Sequence, residues 1–263
     1  MSLNTDRIRA YGDELYAALR GREAVEPLTD RDPEITIEDA YYVSMRLLER
    51  READGERVIG KKIGVTSKAV QDMLDVRQPD FGYLTDRMLY GNGEALPISE
   101  QLVAPRAEGE IAFVLKHDLT GPGVSNAEVL RATDYVMPCF EIVDSRIRDW
   151  RIRIQDTVAD NASCGLFVLG DSIVDPRDVD LVTAGMVVEK NGEVVSTGAG
   201  AAALGSPVNC VAWLANTLGA FGIPLKAGEV ILSGSLVPLI PIEPGESMHL
   251  SIGGIGTAGC RFV

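Results

Sequence analysis

Pro105-Arg106-Ala107-Glu108-Gly109-Glu110-Ile111-Ala112-Phe113-Val114 leads two closely spaced glutamates into an apolar alternation, with a strand predicted over Glu110–Lys116. In an extended chain, residues two apart project to the same side. Ile111, Phe113 and Leu115 therefore share a face suited to a core, while Glu108 and Glu110 stand side by side on the other. Ala112 and Val114 follow the glutamates on that second face, so it is not simply solvated. Adjacent carboxylates repel unless a cation or a shared proton lies between them. Spacing alone favours the plainer reading, an exposed strand start.

Working outward, strands are predicted at Val58–Gly64, Glu110–Lys116, Phe140–Val143, Leu166–Leu169, Met186–Glu189, Glu193–Ser196, Val230–Ser233 and Met248–Ile252. Asn191-Gly192 between two β-branched runs is a two-residue hairpin signal. Helical spacing of Ile8, Tyr11, Leu15 and Leu19 follows Thr5, and Thr36 with Asp39 forms a capping box before Ala40, Val43 and Leu47. Ser67 caps a helix carrying Val70, Met73 and Leu74, and Ser125 with Glu128 caps another. Ser206 and Pro207 start a helix over Val208–Ala220 that Gly222 stops, with Val208, Val211, Leu214 and Leu218 in one apolar stripe and Trp213 off its centre. Strands outnumber helices and do not alternate with them, which predicts an α+β fold rather than a doubly wound sheet. Residues 1–57 are expected to form a small helical N-terminal lobe, and residues 58–263 a mixed-β domain that would carry any catalytic site.

The chain has 263 residues and a net charge of −14. Such acidity disfavours nucleic acid and anionic membranes as partners. An acidic enzyme acting on an acidic substrate must concentrate positive charge locally, as a metal ion or a few placed lysines and arginines. Cys139, Cys164, Cys210 and Cys260 form no C-x-x-C pair and read as buried thiols in a reducing compartment. With no N-terminal signal pattern and no apolar run long enough to span a bilayer, the expected location is the cytoplasm.

Five further candidates could carry chemistry. Glu141, in Cys139-Phe140-Glu141-Ile142-Val143-Asp144-Ser145-Arg146, points away from its apolar neighbours and could join Glu108 and Glu110 if two strands pair. An all-carboxylate set suits Mg²⁺ or Mn²⁺ better than zinc. Asp144 and Arg146 fit either a supporting role or a surface pair. In Gly60-Lys61-Lys62-Ile63-Gly64-Val65-Thr66-Ser67, glycines let backbone approach a ligand, and alternation sends one lysine inward and one outward. Asp80, after Pro79, reads by itself as a turn residue. Ser163 lacks a nucleophile elbow, and His117 and His249 lie beside none of these motifs, so a Ser-His or Cys-His device is not expected. Small residues around Gly198–Ala201 and Ser233-Gly234-Ser235 fit backbone anion contacts or tight packing equally well.

Taken together and in this order, Gly60–Ser67, Gln78–Gly82, Arg106–Phe113, Pro138–Arg146 and Thr157–Ser163 resemble the 2-keto-4-pentenoate (2-hydroxypenta-2,4-dienoate) hydratases of the fumarylacetoacetate hydrolase-like superfamily. The resemblance runs from about Val58 to the C-terminus and more loosely through the N-terminal helices. It implies a mixed β-sheet or β-roll core with a small helical lobe. It also implies a divalent metal, Mg²⁺ or Mn²⁺, held by Glu108, Glu110 and Glu141, with Asp144 as the alternative ligand. Many superfamily members have Asp where Glu141 stands, and the hydrolases use a histidine base that is missing here. The resemblance further implies a homo-oligomer acting in meta-cleavage catabolism of aromatic compounds, with a possible complex with the pathway decarboxylase.

Such a hydratase adds water to a small 2-oxo acid, which requires a proton shuttle and a base to aim the water. Lys62 is assigned to shuttle the proton or bind the carboxylate, Asp80 to be the base, and Ser163 and Ser235 to bind the substrate carboxylate. The rival readings are the sister 4-oxalocrotonate-type decarboxylase, which typically carries an apolar residue in place of Asp80, and a non-catalytic metal-binding partner subunit.

Overall fold

The computed structural model describes residues 3–73 and 76–263. Its helices are α1 (Thr5–Gly21), α2 (Leu28–Arg31), α3 (Ile37–Ala53), α4 (Lys68–Met73), α5 (Ile98–Gln101), α6 (Asn126–Ala132), α7 (Ile154–Ala159) and α8 (Pro207–Gly219). Its strands are β1 (Val58–Gly64), β2 (Asp80–Thr85), β3 (Leu89–Tyr90), β4 (Ala95–Leu96), β5 (Pro105–Leu115), β6 (Thr133–Asp144), β7 (Cys164–Leu169), β8 (Gly185–Lys190), β9 (Glu193–Ala199), β10 (Val230–Leu232), β11 (Ile240–Pro241), β12 (Ser247–Ile252) and β13 (Gly256–Phe262). The expected α+β class holds, as mixed sheets with helices.

Local signals act where the chain's chemistry requires them. The Thr36–Asp39 and Ser125–Glu128 capping boxes both form. Ser206 accepts from the Val208 N–H, with Pro207 in the first turn of α8. Asn191 and Gly192 both take positive φ, 54° and 84°, which a two-residue hairpin between β8 and β9 demands. Ser67 accepts from Val70 at the start of α4; the expected roles of the Met73 side chain and of Leu74 lie outside the described residues.

One sheet runs β2-β1-β10-β5-β6-β7-β3, with β11 beside β5; the other runs β4-β13-β12-β8-β9. Register places Lys62 beside Leu232, Leu232 beside Ala112, and Glu108 opposite Glu141. One face of the larger sheet therefore carries Lys62, Asp80, Glu108, Glu110 and Glu141 at one end. Leu84, Ala112, Cys139, Phe167, Val230 and Leu232 form a buried apolar plug behind them. The opposite face, with Ile63, Ile111, Phe113, Phe140 and Ile142, packs into the main core with α8 and the second sheet. The larger sheet curls, so that β2 at its edge meets the turn before β7. In the helical region, Tyr11, Leu15, Val43 and Leu47 of α1 and α3 share a core with Ile154 and Val158 of α7.

Several elements depart from expectation. β6 begins at Thr133 rather than Phe140, and Pro138 lies inside it. The ladder from β6 to β7 starts only at Cys139, so the proline sits beyond the bonds it would interrupt. β5 starts at Pro105, earlier than Glu110. β2, β13 and α7 were not anticipated.

In α8, Val208, Val211, Leu214 and Leu218 are all buried in the main core, as scaffold. Leu214→Ala should cost ~2–5 kcal/mol in urea unfolding, as truncation in a packed core does. A variant as stable as wild type would take Leu214 out of the load the core carries.

Candidate active site

β5 and β6 supply the carboxylates. Because Glu108 and Glu141 are cross-strand partners and Glu110 follows two residues along, one ligand oxygen from each lies within 4.8 Å of the others. Glu110 and Glu141 are fully buried and Glu108 half-buried. One oxygen of Glu110 and both of Glu141 lack a hydrogen-bond partner. Burial, then repulsion from Glu141, raises the affinity of Glu108 and Glu110 for protons well above that of ordinary carboxylates. Mutually repelling carboxylates, two of them buried with oxygens that lack a hydrogen bond, are what a hard cation with oxygen ligands would satisfy. The donor set therefore fits a divalent ion.

The second oxygen of Glu110 accepts from the Gly234 N–H at 2.8 Å. Gly234 has φ +96°, and a Cβ there would lie 2.5 Å from Thr66 Oγ1, so glycine alone allows this contact. Gly198 and Gly200 abut the Leu236 and Leu181 carbonyls, which makes that small-residue run tight packing.

β1 and β2 supply the opposing charge. Lys62 and Asp80 are buried at 3% and 2% exposure. Lys62 Nζ lies 3.3 Å from Glu141 Oε1. On a flat sheet β1 and β6 would stand ~14 Å apart, so it is the curl that lets both side chains reach one point. Asp80 pairs across the ladder with Gly64, whose missing side chain leaves room for both Asp80 Oδ1 and Lys62 Nζ. Burial works against the Lys62 charge, but Glu141 and then Asp80 outweigh it and hold the ammonium above its ordinary pKa. Burial pushes the Asp80 carboxyl up, and Lys62 pulls against that. Asp80 Oδ1 has no hydrogen-bond partner.

The structure thus gathers Lys62, Asp80, Glu108, Glu110 and Glu141 in one buried place. Asp80 opens a strand rather than a turn. Lys61 faces the other way, as alternation requires, yet is not solvated: it bonds both oxygens of Glu229 at 2.6 and 2.7 Å. Asp144 stands apart from the glutamates, accepting from Val103 and Ala104 N–H and lying 3.7 Å from Arg146. Arg146, also buried, bonds Asp160 at 2.6 Å, so neither Asp144 nor Arg146 forms a surface pair. Ser235 turns its hydroxyl to the Val237 carbonyl at 2.5 Å. Ser163 is buried with its hydroxyl 3.2 Å from Thr157 Oγ1.

Asn161 lies in the polar turn that the resemblance includes, Thr157–Ser163, but its sequence context assigns it no role. With Ala162 and Ser163 it forms a turn of three consecutive left-handed residues, at φ 54°, 51° and 52°. Asparagine is among the residues that tolerate this region best, which was the only available signal.

The fumarylacetoacetate (FAA) hydrolase C-terminal family model matches residues 56–263. A 2-hydroxypent-2,4-dienoate hydratase of Pseudomonas putida is 74% identical over 216 residues, 82% of this chain and 97% of that one. A 2-hydroxyhexa-2,4-dienoate hydratase of Comamonas testosteroni is 60% identical over 256 residues, 97% of each chain. The solved 4-oxalocrotonate decarboxylase from Pseudomonas putida G7, complexed with magnesium and adipate, aligns with TM-score 0.96 at 37% identity over 99% of both chains.

Proposed function

The chain belongs to the fumarylacetoacetate hydrolase family, and from that premise we propose that it hydrates 2-hydroxypenta-2,4-dienoate to 4-hydroxy-2-oxopentanoate. Glu108, Glu110 and Glu141 would hold one Mg²⁺ or Mn²⁺. When bound there, such an ion supplies Lewis-acid stabilisation to the oxygens of a 2-oxo acid.

The chain's own residues do the rest. Lys62, held protonated, binds the substrate carboxylate or gives a proton to C5 and takes back that of the 2-hydroxyl as the dienol becomes the 2-oxo-3-alkene. Asp80 orients a water at C4 and takes its proton as the C–O bond forms. A proton then goes to C3, so one water is added across C3–C4 and nothing leaves. The raised proton affinity of Asp80 makes it a stronger base than an exposed carboxylate, and burial keeps bulk water from competing. Ser163, whose hydroxyl bonds only Thr157 Oγ1 among the described residues, keeps hydrogen-bonding capacity for the carboxylate end; Ser235, which both donates to and accepts from Val237, is the weaker partner.

The observation that carries this reading is Asp80, a buried carboxylate with an unpartnered oxygen beside Lys62. Decarboxylation of a 2-oxo acid needs no base for water, so the shared fold with the decarboxylase does not favour that activity. Proton NMR of the dienoate incubated with the isolated chain and Mg²⁺ tests the reading. The alkene signals should give way to a methyl group on a CH–OH carbon. Release of CO₂ from 4-oxalocrotonate with no hydration would support the decarboxylase, and no turnover at all would support a silent subunit.

A further inference from the structure

We propose that Asn161 is a positioning residue for the proton-handling pair, closing the free edge of β2 so that Asp80 stays opposite Lys62; this deepens the hydratase reading and rests on it. β2 is the last strand of its sheet and pairs only with β1. Its outer edge would leave backbone groups of Tyr83 exposed to competition from water. The Asn161 carboxamide takes the place of a neighbouring strand there. Its Oδ1 accepts from the Tyr83 N–H at 2.8 Å, and its Nδ2 donates to the Tyr83 carbonyl at 2.9 Å.

The fit extends to the backbone. The Asn161 carbonyl fills the space beside Gly82, where a Cβ would lie 2.4 Å from it. Such an approach requires the left-handed turn, and the turn is anchored from behind. Asp160 bonds Arg146 through side chain and backbone, and Ser163 donates its N–H to the Asp160 carbonyl at 3.0 Å. Cys164 then begins β7, where Phe167 pairs with Glu141. One asparagine thus ties the strand carrying Asp80 to the far side of the curled sheet, next to the strand carrying Glu141. The glutamates stand on β5 and β6, whose mutual ladder does not involve this link. Loss of the clamp should therefore displace Asp80 and leave the metal ligands in place.

The test is Asn161→Gly, which keeps the left-handed backbone and removes the carboxamide. In the Mn²⁺-loaded enzyme, kcat for the dienoate should fall by roughly 10- to 100-fold, the cost of misplacing a reacting group by about 1 Å, with KM and Mn²⁺ affinity within about twofold of wild type. Amide exchange at Tyr83 should rise in the same variant. Asn161→Asp, which keeps the acceptor for Tyr83 N–H but opposes the Tyr83 carbonyl, should show the same split, and it decides the matter if the glycine variant does not fold. Unchanged kcat, or kcat and Mn²⁺ affinity lost together, would overturn the proposal. Wild-type chain that fails to turn over the dienoate would overturn the hydratase reading and this proposal with it, whereas a wild-type rate that the variants match overturns the proposal alone.

Discussion

Asp80→Asn is expected to lower kcat for dienoate hydration by roughly 10²–10⁴-fold, the range typical of losing a general base. The substitution keeps size and most hydrogen bonding but removes the group that would take a proton from water. Asp80 opens β2 with its carboxylate facing Lys62 and Gly64, on the same sheet face as the three glutamates. It is not one of the three clustered glutamates, so Mn²⁺ affinity should hold. The Lys62 ammonium loses one neighbouring anion and retains Glu141 and Glu108. Steady-state kinetics and a metal titration on the same preparation check both halves. Hydration persisting near the wild-type kcat would remove Asp80 from the chemistry and return it to a strand-end role.

Glu110→Gln is expected to reduce metal-dependent turnover by about 10³-fold or more, because Lewis-acid stabilisation contributes several kcal/mol. Stability should move differently. Glu110 is fully buried beside two other carboxylates, and burial followed by repulsion from Glu141 and Glu108 disfavours its charge. Glutamine removes that repulsion and can still accept from the Gly234 N–H. The chelator-treated variant should therefore unfold at the same temperature as wild type or higher. Addition of Mn²⁺ at about 100 times its Kd should stabilise wild type by about 2.7 kcal/mol and the variant by much less. Collapse of the variant in chelator would instead make Glu110 a structural residue.

The sequence was most readable where one period governed one element. Glu108 and Glu110 alternate against Ile111 and Phe113, and that alternation gave the face they share. The pairing of Glu108 with Glu141 had no local signal, because register depends on the whole ladder between β5 and β6. β2 was hidden by Pro79 and Gly82, both turn formers, although Gly82 is there to admit the Asn161 carbonyl. β13 reads Gly-Thr-Ala-Gly-Cys-Arg-Phe, with Thr257 its one β-branched residue to mark it. Lys61 and Lys62 were correctly placed on opposite faces, but that both faces are buried follows from curl and packing rather than from alternation. The Asn161 clamp was least accessible, since a side chain standing in for a strand obeys no period at all.

Ultraviolet absorbance of 2-hydroxypenta-2,4-dienoate, followed with the isolated chain, tests the proposal that it adds water to the dienoate with a divalent cation held by Glu108, Glu110 and Glu141. Absorbance should fall in Mg²⁺ or Mn²⁺, stop on chelation, resume when the metal is restored, and be indifferent to NADH. Steady absorbance under all these conditions, or a fall that chelation does not slow, would contradict it.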